Sequence, residues 1–204
     1  MDILLENIGK KYYGRWLFRH LNLHIESGQN WVIKGPNGSG KSTLMQMIAG
    51  STGASEGKIS YLIHGASISG TAVYQQLAWA APGVSLFLDL SLKESIKLHF
   101  SFKKCLLKDP LSLAEILDLE KHLHKPLKFF SSGMLQRFSV GLALISDTPL
   151  LLLDEPTSNL DEIQSAKLIA LIQTYCENRT LILASNLGRE AHFIQHVWEL
   201  KQAN

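Results

Sequence analysis

Cysteine is scarce in this chain. Two occur in 204 residues, Cys105 and Cys176, far apart and without a CxxC spacing. That excludes a disulfide framework and a cysteine-built zinc site, and it suits a reducing compartment. Long apolar runs are missing too. A membrane-spanning helix needs about 18 consecutive apolar residues, and the most apolar part, residues 138–153, is interrupted by Asp147 and Pro149. Excess charge of one sign is also absent. Lys and Arg number 20 against 18 Asp and Glu, a net +2 with the eight histidines neutral. That is too weak to argue for nucleic acid or an anionic membrane surface as partner. Asp2 and Glu6 stand where an export signal would carry basic and apolar residues, so the expectation is a cytoplasmic protein. No repeat, linker or low-complexity segment is visible.

What is present is an ordinary globular composition, 46% hydrophobic and 19% charged, long enough for one compact domain with a full core. Residues 2–6 and 21–25 read as strands around the aromatic turn KYYGRW. Residues 30–35 form a short apolar run ending in glycine, followed by helical spacing over 42–50 with Gly50 as a C-cap. Further strands are expected at 57–65 and 77–81. SLKE (91–94) and SLAE (112–115) have the S-x-x-E pattern of a capping box, and each precedes helical spacing. They mark a helical insert over about 84–145. PLLLLDE (149–155) is apolar on successive residues, as in a parallel-sheet strand buried on both faces. An amphipathic helix over 161–178, a strand TLILA, a short helix from Gly188 and a last strand HVWEL complete the chain. This order predicts an α/β fold: a mostly parallel sheet, an antiparallel N-terminal β part and a helical subdomain. It is expected as a single 1–204 unit, with a core subdomain of about 1–83 and 146–204.

GPNGSGKST, residues 35–43, fits G-x-x-x-x-G-K-[ST]. Gly35, Gly40, Lys41 and Ser42 are the defining positions; Pro36, Asn37, Gly38 and Ser39 form the loop, and Thr43 follows. Phosphates need inward-facing backbone N–H groups, and glycine lets the chain curl around them. The helix starting near Lys41 points its positive end at the same place. Lys41 is expected to reach the β- and γ-phosphates of ATP, and the Ser42 hydroxyl to hold Mg²⁺. In LLLLDEP (150–156), a carboxylate ends a buried strand, a costly position unless a cation is near. Asp154 is therefore the second candidate for Mg²⁺, through water. Glu155 can face the γ-phosphate and polarise an attacking water.

With these motifs the chain resembles the ATP-binding cassette (ABC) family over nearly its whole length. GPNGSGKSTL matches the family's phosphate loop. LLLLDEPTSNLD (150–161) matches its Walker B strand, catalytic glutamate and D-loop, which ends here at Asp161. FSSGMLQR (130–137) resembles its signature. The resemblance implies that Ser131, Ser132 and Gly133 meet the ATP held by a second cassette, as homodimer or heterodimer. It also implies that Tyr13, with Tyr12 as the neighbouring alternative, stacks on adenine. Two cassettes then close head to tail on ATP and part on hydrolysis. A separate transmembrane subunit would hold the pair at the inner face of the membrane, and apolar residues of the helical insert such as Phe87 and Leu88 could dock it.

Two positions depart from the family pattern. Pro82 stands where a glutamine is usual, with Gln75 and Gln76 too early to replace it. Asn186 stands where a histidine is usual. Its amide can donate to a γ-phosphate but does not titrate near neutrality. The expectation is retained ATP binding with slow hydrolysis. The competing reading is an ATP-gated regulatory module with little turnover and no transport role. His192 and His196, four apart, are expected on a solvated helix face rather than as a metal pair.

Overall fold

The computed structural model describes residues 1–82, 86–186 and 193–200. The chain separates into two compact units. The first comprises Met1–Trp79, Thr148–Glu155 and Cys176–Asn204; the second comprises Ala80–Asp147 and Pro156–Tyr175.

The first unit holds two sheets. β1 (Asp2–Tyr12) and β2 (Arg15–Ile25) form a long antiparallel hairpin. Its turn is Tyr13-Gly14, both with positive φ (48° and 80°), as the twist of a two-residue hairpin turn requires. KYYGRW is therefore more strand than turn. β4 (Glu56–Ile63) pairs with β1, and the short β5 (Ala66–Ile68) pairs with β4, giving the order β2-β1-β4-β5.

The second sheet has the order β6-β7-β8-β3-β9, from β6 (Leu77–Ala80), β7 (Leu150–Asp154), β8 (Thr180–Ala184), β3 (Asn30–Lys34) and β9 (His196–Glu199). The pairs β7–β8, β8–β3 and β3–β9 are parallel. Every residue of β7 and β8 is buried, which is why both read as uninterrupted apolar runs. α1 (Lys41–Ile48) follows β3, and its Leu44, Met45, Met47 and Ile48 join Ile3, Ile8, Phe18, Leu150, Leu152 and Ile182 in one core. Leu152 is fully buried there. Leu152→Ala is expected to lower unfolding stability by about 2–5 kcal/mol, through lost transfer energy and the cavity left behind; a denaturant titration reads the shift.

A five-residue helix, α2 (Thr71–Gln75), was not expected from the sequence. Gln75 lies on it and Gln76 just after it, at the opposite end of β6 from Pro82. His196 begins strand β9 instead of sitting on a helix, and its ring stacks on Trp31 with centroids 4.6 Å apart. His192 and residues 187–191, where the short helix from Gly188 is expected, fall outside the described residues.

The second unit carries the longer helices α3 (Leu92–Phe102), α5 (Ser132–Ile145) and α6 (Glu162–Tyr175), with a short α4 (Ser112–Ile116). Leu92, Ile96, Leu113, Leu117, Leu127 and Phe138 are among its core residues. The first capping box forms as expected. Ser91 Oγ accepts from Glu94 N, and Glu94 Oε2 accepts from Ser91 N at 2.8 Å. The second does not. Ser112 is already helical, α4 is capped at Leu111, and Ser112 Oγ donates back to the Asp109 carbonyl at 2.6 Å. Asp109 Oδ1 instead accepts from Leu111 N at 3.2 Å, so Asp109 and Pro110 organise that turn one step earlier than SLAE suggests.

Candidate functional site

The parallel pairing brings the ends of β3, β7 and β8 to one edge of the sheet. Ile33 and Asp154 are both register partners of Ala184. Glu155 N then donates to Ala184 O at 2.8 Å, and Ser185 N to Ile33 O at 3.3 Å. Loops leaving the C-terminal ends of adjacent parallel strands are where α/β sheets hold ligands.

The loop 35–40 leaves β3 here and turns into α1. Gly40 is left-handed (φ 99°) and caps the helix. A Cβ on it would stand 2.7 Å from the Leu17 side chain and 2.9 Å from that of Phe18, so both its conformation and its closeness to β2 demand glycine. At Gly35 a Cβ would stand 2.8 Å from the Leu200 carbonyl. Ser39 N donates to Pro36 O at 3.1 Å, closing the loop. Pro36, Asn37 and Gly38 are exposed and Ser39 is buried. The first turn of α1 carries Lys41, Ser42 and Thr43 and no acidic side chain, leaving its positive end free for an anion.

Lys41 is the centre of the cluster. The residue is 6% exposed, and its ammonium donates to Gly35 O at 2.9 Å, to Pro36 O at 3.3 Å and to Asn186 Oδ1. Glu155 Oε1 lies 4.0 Å away. The Asn186 amide nitrogen donates to Asn37 Oδ1, and Asn186 N approaches Glu155 Oε2 at 3.5 Å. Asp154, at the buried end of β7, is bonded to Ser42. Burial pushes its carboxyl pKa above the usual range, against the opposing pull of the Ser42 hydrogen bond and the Lys41 charge. Asp154 Oδ1 is buried without a hydrogen-bond partner. A buried carboxylate oxygen with no donor, beside a hydroxyl, fits a hard divalent cation.

Glu155 adopts φ 47°, a left-handed conformation that an L side chain takes only when its surroundings impose it. Here its N–H is tied to β8 and its carboxylate faces Lys41 and Asn186. The structure thus brings Lys41, Ser42, Asp154, Glu155 and Asn186 together, with Asn37 as a member that the motif alone placed only in the loop.

Other expected residues lie elsewhere. Tyr13 is fully exposed at the hairpin tip, and Tyr12 is half-exposed with Lys10 Nζ 5.1 Å from its ring centroid. In the second unit, Ser131 caps α5 by accepting from Met134 N at 3.2 Å. Ser132 is exposed on the first turn. A Cβ on Gly133 would stand 3.0 Å from the Asn159 carbonyl, so the signature segment and the 158–161 loop touch. Gln136 Nε2 adds a bond to Pro156 O at 3.1 Å. Asp161 accepts from Gln164 N at 2.8 Å and so starts α6. Pro82 is exposed in the turn after β6.

The family model described as ABC transporter matches residues 18–158. The chain belongs to that family. Cytochrome c biogenesis ATP-binding export protein CcmA of Brucella abortus is 30% identical over 91% of the chain and 85% of its own length. Lantibiotic transport ATP-binding protein SrtF of Streptococcus pyogenes is 29% identical over 97% of the chain and 87% of its own length. Among solved structures, the dimeric ATP-binding cassette MJ0796 in a post-hydrolysis state, bound to ADP and Pi, superposes with a TM-score of 0.85 at 23% identity, covering 98% of the chain and 94% of that chain. The fold is that of the ABC cassette, a P-loop NTPase with a mostly parallel sheet and a separate antiparallel one. Among the described residues no helix is long and apolar enough to cross a membrane, and no group of three His, Cys, Asp or Glu could hold a metal.

Proposed function

We propose that this ABC cassette is the ATP-binding and ATP-hydrolysing subunit of a membrane transporter, working as a pair of cassettes with ATP between them. The observation that carries this reading is the convergence of Lys41, Ser42, Asp154 and Glu155 on the N-terminus of α1 at the C-terminal edge of the sheet. Relatives named as transport and export ATP-binding proteins support it, as does a cassette solved as a dimer with ADP and Pi.

In this reading, Gly35 to Thr43 cradle the phosphates. Lys41 neutralises them, and Ser42 and Asp154 would hold Mg²⁺, which would supply charge withdrawal from the phosphate oxygens. Glu155 orients the attacking water. Tyr13 offers its exposed ring to adenine. Ser131, Ser132 and Gly133, with Asp161, belong to the surface presented to the second cassette. Phe87 and Leu88, 70% and 46% exposed, belong to the surface for a separate transmembrane subunit, which places the chain peripherally at the inner face of the membrane.

Hydrolysis is slow in this account. Pro82 has no side-chain donor or acceptor, and Asn186 is shorter than a histidine. Losing one positioned donor in such a site commonly costs about 10²-fold or more in rate. The exposed Pro82 and the Asn186 amide on Lys41 also favour a second reading, an ATP-gated regulatory module with little turnover.

Dimerisation tests the pair. Glu155→Gln, which leaves the phosphate loop intact, is expected to sediment as a dimer with ATP and as a monomer with ADP. A monomer under both conditions would remove the two-cassette part of the proposal.

A further inference from the structure

The Lys41 ammonium has three N–H donors, and protein groups take all of them. Two acceptors, Gly35 O and Pro36 O at 2.9 and 3.3 Å, are backbone carbonyls of the phosphate loop itself. The third, Asn186 Oδ1, belongs to an exposed side chain on the loop after β8. That side chain is held from its other end, because Asn186 Nδ2 donates to Asn37 Oδ1. A phosphate oxygen can therefore reach Lys41 most simply by displacing Asn186, since a side-chain amide rotates out while the two carbonyls are fixed by the loop.

We infer that Asn186 is a latch on Lys41, and that Asn37 is the positioning residue that holds the latch shut. This rests on the proposed nucleotide binding at the same loop and adds a regulatory step to it. Arrival of the β-phosphate breaks the Lys41–Asn186 bond, and the freed carboxamide can turn its nitrogen, a donor, toward a γ-phosphate. Asn37 loses its donor in the same motion. No covalent chemistry is involved, only exchange of one acceptor on Lys41 for another. The Lys41 neighbourhood also contains the carboxylate of Glu155, with Oε1 at 4.0 Å, which keeps the ammonium in place whichever acceptor it uses.

The latch gives ADP and ATP different responses. ADP gains nothing from Asn186 once bound, because it has no γ-phosphate, but it must break the latch. Removing the latch therefore tightens ADP. ATP loses the amide as a donor, which offsets that gain. The test is calorimetric binding of ADP and of ATP, with magnesium, to the full chain and to Asn186→Ala, Asn37→Ala and the double variant. Asn186→Ala is expected to bind ADP several-fold more tightly, up to about tenfold, the lower end of what one hydrogen bond to a charged group contributes. Asn37→Ala is expected to move in the same direction by less, and the double variant to match Asn186→Ala alone, since Asn37 acts only through Asn186. The ratio of ADP to ATP affinity rises in Asn186→Ala and in the double variant, and stays unchanged in Asn37→Ala, which keeps the amide and eases entry of both nucleotides alike. Unchanged or weaker ADP binding in Asn186→Ala would overturn the latch, and additive effects in the double variant would overturn the part given to Asn37. Failure of the unsubstituted chain to bind either nucleotide would overturn the nucleotide reading itself and the latch with it. Melting temperatures recorded on the same samples separate a misfolded variant from a changed latch.

Discussion

Glu155→Gln lowers ATP turnover by about 10²- to 10⁴-fold, the range typical of a lost general base, while ATP affinity changes little. Glutamine keeps the size of the side chain and its acceptor oxygen but cannot take a proton from water. The backbone supports the assignment. Glu155 sits at φ 47° with its N–H bonded to Ala184 O at 2.8 Å, so the strand edge holds it in a conformation that extended chain would not adopt. Its carboxylate lies 4.0 Å from Lys41 Nζ, close to where the proposed phosphates are held. Phosphate-release assays at saturating ATP, paired with calorimetric affinity, check both halves of the expectation. Turnover retained in Glu155→Gln would move the base to another residue.

Lys41→Ala weakens binding of both ADP and ATP by about 10²-fold, because charge-assisted hydrogen bonds are worth about 1.5–3 kcal/mol each and the ammonium is proposed to serve two phosphates. The loss is large because Lys41 is buried, 6% exposed, where water cannot take its place. The Gly35 and Pro36 carbonyls also lose their donor, so a drop in melting temperature accompanies the loss of affinity. Calorimetry reads the first effect and thermal unfolding the second. Near-native affinity in Lys41→Ala would remove the phosphate loop from the account.

How legible the molecule was depended on the range of each signal. β7 and β8 were readable because burial on both faces leaves an uninterrupted apolar run, Leu150–Asp154 and Thr180–Ala184. The phosphate loop was readable because glycine spacing and a lysine follow from local geometry. Ser91 capped its helix as the pattern suggests, whereas Ser112 did not, because Asp109 and Pro110 set that turn first. α2 went unseen because five residues give too little periodicity. The ends of the first hairpin were read short because aromatic residues near Tyr13-Gly14 resemble a loop as much as a β-strand. At the site, both carboxylates, Asp154 and Glu155, were visible in one motif. The Asn37–Asn186 bond was not, since it joins residues 149 positions apart and depends on strand order, which no local pattern encodes.

The central claim is that this chain turns over ATP at a site that needs a second cassette. Phosphate release by the purified chain, at saturating ATP with magnesium and over a range of protein concentrations, tests it most directly. The account predicts slow but measurable release, lost in Glu155→Gln, with a specific rate that rises with protein concentration as cassettes pair. ATP binding with no phosphate release at any concentration would contradict it and leave the gated, non-hydrolysing module as the reading to pursue.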